Sequence, residues 1–84
     1  MRHARDDDLD RIEPLLDQLR ALDGLTEKSR GVFYRRSRAC LHFHADGSDT
    51  YADVRFAGDD FERLRATTKA EQRALVASVR RALT

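Results

Sequence analysis

Leu9, Ile12, Leu15, Leu16, Leu19 and Leu22 recur at three- and four-residue spacing, which predicts one apolar stripe along a helix. Pro14 falls inside that stripe. Proline is tolerated in the first helical turn but costs ~3 kcal/mol deeper in. The regular helix is therefore expected to begin near Asp10, with Leu9 as a hydrophobic staple. Asp10 and Glu13 suit the positive end of the helix dipole, and Gly24 reads as the stop. A second stripe, Leu75, Val76, Val79 and Leu83, closes the chain. Thr68-Lys69-Ala70-Glu71 before it is a capping-box sequence, in which hydroxyl and carboxylate each satisfy an orphan N–H. Arg80 and Arg81 lie at its C-terminal end, where positive charge is favoured.

Between the two helices the period falls to two. Leu41, Phe43 and Ala45 point one way, and Cys40, His42, His44 and Asp46 the other. Strands are expected over residues 32–35, 39–45 and 50–56, with a short fourth strand over 61–65. Arg36-Ser37-Arg38, Asp46-Gly47-Ser48-Asp49 and Gly58-Asp59-Asp60 supply the turns. Residues 25–30 read as a polar connector and residues 1–8 as a frayed acidic lead. The pattern predicts an α+β two-layer sandwich, α-β-β-β-(β)-α, an antiparallel meander with both helices on one face. Val32, Tyr34, Leu41, Phe43, Ala52, Val54 and Phe56 are expected beneath the helices. Phe33, Arg35, Cys40, His42, His44, Tyr51, Asp53 and Arg55 are expected on the open face.

Composition changes this picture little. Eighty-four residues make one domain, near the lower end of what folds alone without a disulfide or metal. A net charge of +1 lacks the excess of a nucleic-acid coat. Cys40 is the single cysteine, so no intramolecular disulfide forms, which fits a reducing cytoplasm. The charged first ten residues have no apolar h-region, and no run approaches a membrane span of ~20 residues.

The open face carries the candidate chemistry. If Ala45 pairs with Thr50, His44 faces Tyr51 and His42 faces Asp53; a tighter turn puts Asp53 opposite His44 instead. Either register sets an aspartate beside a histidine, which can orient an imidazole. His42, His44 and Asp53 are competent ligands for zinc or iron, and the two histidines are about 7 Å apart along the strand. The bland alternative is a solvated face with an Asp–His pair. His3 falls in the lead and is a poor further ligand there. Cys40 as a nucleophile needs a base and an oxyanion hole, and nothing glycine-rich surrounds it. Arg30, Arg35, Arg36 and Arg38, interleaved with Phe33 and Tyr34, offer charge and stacking for phosphate or single-stranded nucleic acid. A solvated turn that deters edge pairing is the simpler account of them.

Phe33-Tyr34, Ser37-Arg38, Leu41-His42-Phe43-His44 and Ala52-Asp53-Val54-Arg55, followed by Phe61-Glu62-Arg63 and Thr67-Thr68 with Glu71-Gln72, resemble a group of short conserved hypothetical proteins of high-GC bacteria. The resemblance spans about residues 29–84. It implies a shared fold and carries no activity with it.

No nucleophile, base and oxyanion donor assemble in the sequence, so the expectation is a cytoplasmic, non-enzymatic domain that needs no cofactor. Phe33 and Tyr51 on an uncovered face suit self-association as a homodimer, or a protein partner. The alternatives are metal binding through His42, His44 and Asp53, and weak phosphate or nucleic-acid binding through the arginines.

Overall fold

The first eight residues do not fray. In the computed structural model, which describes residues 1–84, strand β1 (Arg2–His3) pairs antiparallel within the sheet, and helix α1 (Asp6–Asp10) follows. Charge holds this segment down. Asp8 is buried and accepts hydrogen bonds from the Arg2 and Arg11 guanidinium groups and from the Arg5 backbone N–H. The Arg2 contact, then the Arg5 N–H, holds the Asp8 carboxyl well below the usual carboxylate range. The acidic run looked like a solvated lead because sequence alone could not show its partners.

Pro14 divides the leucine stripe into two helices. Helix α2 spans Glu13–Arg20 and Pro14 lies in its first turn, where the missing N–H does no harm. Leu9, Ile12, Leu15, Leu16 and Leu19 are buried on both sides of the break. The stripe therefore continues although the helix does not.

Strands β2 (Thr26–Ser29), β3 (Val32–Arg35), β4 (Arg38–Asp46), β5 (Asp49–Val54) and β6 (Glu62–Arg65) form an antiparallel sheet in that order. β2 replaces the expected connector. It contains no apolar residue and is an edge strand, so no alternation announced it. β6 is the short fourth strand of the meander, without Phe61. β1 lies beside Ala45 and His44 of β4, beyond the stretch 38–41 that pairs with β3. Helix α3 (Lys69–Leu83) closes the chain. Its capping box is formed: the Glu71 N–H donates to Thr68 Oγ1 at 3.1 Å and the Thr68 N–H to Glu71 Oε1 at 2.9 Å.

One cluster joins the helices to one sheet face: Leu9, Leu15, Leu16 and Leu19 meet Leu41, Phe43, Ala52 and Val54, and Leu75, Val76 and Val79. The molecule is thus a small α+β sandwich with both helical layers on the same side of an antiparallel sheet. No helix is long and apolar enough to cross a membrane.

The β3–β4 pairing corrects two face assignments. Phe33 is opposite Leu41, but Tyr34 is opposite Ala39, so Cys40 is an extra residue on β4. At such a bulge two residues of one strand face one of the other. Phe33 is 0% exposed and Cys40 1%; both belong to the core, not to the open face. Val32 and Tyr34, expected beneath the helices, are only partly buried. At the tip of this hairpin Arg36 has φ +61°. A side chain there costs roughly 1–2 kcal/mol relative to glycine, because Cβ crowds the carbonyl. Gly31 (φ +77°) ends the β2–β3 turn against α1, and a Cβ there would approach Leu9 Cδ2 to 2.8 Å.

Candidate metal centre

The β4–β5 hairpin has the register His42 opposite Asp53 and His44 opposite Tyr51. Asp46 and Asp49 pair directly, leaving Gly47 and Ser48 as the turn. The pleat then sends His42, His44 and Asp53 to the face away from the helices. β1 adds a residue from outside the meander, since His3 is paired directly with His44. Its ring centroid is 4.3 Å from that of His44 and 5.8 Å from that of His42. One nitrogen from each of His3, His42 and His44 lies within 4.8 Å of the others.

Asp53 sits behind the rings. It is 6% exposed, with Oδ2 at 3.2 Å from His44 Nδ1 and 3.4 Å from His42 Nε2. Arg63, from the adjacent strand, grips the same carboxylate with Nε at 2.7 Å and a terminal nitrogen at 2.9 Å. That bidentate contact, before any other influence, keeps Asp53 ionised by lowering its pKa. The carboxylate is therefore committed to Arg63 and stands as a partner to the imidazoles. Despite its closeness to Asp53, His44 Nδ1 is buried with no hydrogen bond.

Burial pushes the His42 and His44 imidazoles down from the ordinary histidine value. Asp53 opposes this, while His3 and Arg63 reinforce it. Both rings are thus poised to be neutral near pH 7, the form that coordinates metal. A tetrahedral ion held at ~2.0–2.1 Å places ligand nitrogens about 3.3 Å apart. The three rings need to close by up to about 1.5 Å to reach that spacing.

Other expected face residues have different surroundings. Tyr51 is half-buried opposite His44. Arg55 lies over the Phe61 ring at 4.3 Å and donates to the Ala39 carbonyl at 2.7 Å. Phe61 in turn meets His42 edge-on at 4.9 Å between centroids. Arg30 leaves the arginine group altogether, being held by Asp6, Asp10 and Glu13 of the first two helices. Burial raises the Cys40 pKa against the pull of Arg35 and Arg55, the opposite of what a nucleophilic thiol requires. His3, Phe61 and Arg63 were missed as site residues. A two-residue strand has no periodicity, and only the rarity of histidine in this chain pointed to His3.

Compared with family models, curated proteins and solved structures, the chain matches none. The largest surface cavity, about 480 Å³, lies elsewhere, with Arg11, Pro14 and Gln18 on one wall and Thr67, Lys69 and Arg73 on the other.

Proposed function

We propose that this protein binds a divalent transition-metal ion, zinc foremost, through His3, His42 and His44. The observation that carries the reading is the convergence of three imidazole nitrogens within 4.8 Å from two paired strands. Imidazole suits zinc, copper, nickel and iron, and hard cations prefer oxygen. Three histidines leave a fourth position for water or for a donor from another molecule, as in open zinc sites. Asp53 takes the role of the carboxylate that orients metal-bound imidazoles, and Arg63 fixes Asp53.

This reading differs from the set His42, His44 and Asp53 in giving the third ligand to His3. A partner on the same face would find Tyr51 and Phe61 as its aromatics, because Phe33 is in the core.

The test is elemental analysis of protein prepared without a histidine tag, followed by zinc titration of the chelator-treated chain by calorimetry. The expected result is one ion per chain. Alanine at His3, His42 or His44 each weakens binding by about tenfold or more, in line with the loss of over 1.4 kcal/mol per ligand. Equal zinc affinity in the wild type and in the triple alanine variant would refute the site.

A further inference from the structure

We propose that the tip of the β3–β4 hairpin is a second site, which binds a compact oxyanion of the phosphate type. The cavity there holds about 240 Å³ and is lined by Arg35, Arg36, Arg38 and Arg55 together with Ser37. No carboxylate lines it. It is smaller than the roughly 300 Å³ at which pockets for drug-sized ligands begin, so it suits a phosphate group better than a whole nucleotide.

Four observations converge. The first is the state of the charges. Arg20, Arg30, Arg63 and Arg65 each hold one or more carboxylates. Arg35, Arg36 and Arg55 hold none, and Arg38 has only Asp59, itself 97% exposed. Three uncompensated guanidinium groups around one hollow repel each other until an anion joins them.

The second is Arg55. Its charge is fixed over the Phe61 ring and tied to the Ala39 carbonyl. Its Nε is nevertheless buried without an acceptor. A buried N–H in that condition is costly, and it belongs to a side chain that lines the cavity. The guanidinium geometry matches phosphate as it matches carboxylate, through paired N–H groups.

The third is the backbone of Arg36. It occupies the left-handed region at φ +61°, the one residue other than glycine in this chain to do so. Two-residue hairpin turns ordinarily meet that demand with Gly, Asn or Asp. A turn selected only for solubility or for blocking edge pairing would do the same. An arginine held in an unfavourable conformation points instead to a use for its side chain.

The fourth is the bulge at Cys40. It places an extra residue of β4 opposite Phe33, and Cys40 itself forms part of the cavity wall. The wall is thus built on core residues, which makes it rigid. Arg30 takes no part, and Arg55, sequence-distant from the hairpin, replaces it.

The test is a two-dimensional NMR titration of the chelator-treated protein with inorganic phosphate, at ionic strength held constant with chloride. Chelation removes binding through a metal ion, so failure here is separate from failure of the histidine site. Saturable shifts are expected at residues 35–38 and at Arg55, and none at Arg73 or Arg80. Arg36→Gly is expected to unfold at a higher denaturant midpoint, because the turn relaxes. The same variant is expected to bind phosphate at least about tenfold more weakly, as loss of a charge-assisted hydrogen bond requires. Arg35→Gln provides a second variant with the same expected loss. Wild-type phosphate affinity in both variants would overturn the proposal, as would shifts that chloride reproduces. A short single-stranded oligonucleotide whose contacts run the length of β3 and far exceed those of phosphate would also overturn it, in favour of a nucleic-acid surface.

Discussion

Replacing Phe33 with alanine tests the bulge that shapes the arginine cavity. Phe33 is 0% exposed and faces Leu41 and Cys40 in the core. An aromatic side chain buries ~150–250 Å², which at about 25 cal/mol per Å² gives roughly 4–6 kcal/mol. Measured Phe→Ala losses in cores are about 3–5 kcal/mol, so about 4 kcal/mol is the expected cost. A chain of this length has a total stability of roughly 4–12 kcal/mol. The substitution thus removes a third of it at the least. Urea unfolding followed by far-ultraviolet circular dichroism reads this directly. With a slope of about 1.3 kcal/mol per M, the midpoint falls by about 3 M, or the chain is unfolded in water. Tyr34→Ala is the control. Tyr34 is partly exposed with Lys28 over its ring, and its loss is expected to cost about 1 kcal/mol. Without the bulge, strict alternation would bury Tyr34 and expose Phe33, and the two costs would exchange. A Phe33→Ala cost below that of Tyr34→Ala would therefore refute the register. It also follows that Phe33→Glu cannot serve as a probe of self-association, since it puts a charge into the core.

His42 and His44 have folded-state values below the unfolded value of about 6.5. The unfolded chain takes up protons first as pH falls, so their contribution to stability is fully present above about 6.5 and is lost as pH drops toward their folded values. The metal-free protein should show a urea midpoint that declines between pH 7.5 and 5.5, and His42→Gln with His44→Gln should flatten that decline; a midpoint independent of pH in the parent protein would contradict it. Asp8→Ala removes the anchor of Arg2 and Arg11. Amide hydrogen exchange at residues 3 and 4 should accelerate while that of β5 is unchanged, and zinc affinity should fall about tenfold, as it does when partners that orient ligands are lost; unchanged exchange and affinity would show that Asp8 does not seat β1.

Much of the architecture was legible because the two apolar stripes and the β4 alternation are strong, local signals. The Thr68 capping box and the placing of Asp53 beside a histidine follow from chemistry within a few residues or one turn, though which of His42 and His44 it faces was left open until the structure set the register. What failed has a common physical origin in contacts that periodicity does not encode. A bulge inserts one residue and reverses the face of everything beyond it, which turned Phe33 and Cys40 inward. β2 is held by backbone pairing and by the Arg20–Glu27 ion pair, while Thr26, Glu27, Lys28 and Ser29 give no apolar pattern. His3 reaches the candidate centre through a strand of two residues, seated by an ion pair whose members could not be matched from the sequence.

Strand β1 also covers an otherwise open edge of the sheet. β4 is the longest strand, with Leu41, Phe43 and Ala45 along it, and β3 covers only residues 38–41 of one edge. β1 covers residues 44 and 45 of that edge, and the Ala4 N–H donates to the Phe43 carbonyl at 3.1 Å. Without those few residues the longest strand would offer unpaired N–H and C=O groups to any passing chain, the usual template for aggregation. The remaining edges, β2 and β6, carry Glu27 and Lys28, and Glu62, Arg63 and Arg65, which resist such pairing. The short strand that delivers His3 is therefore also a guard on the sheet, and variants that loosen it are expected to aggregate more readily.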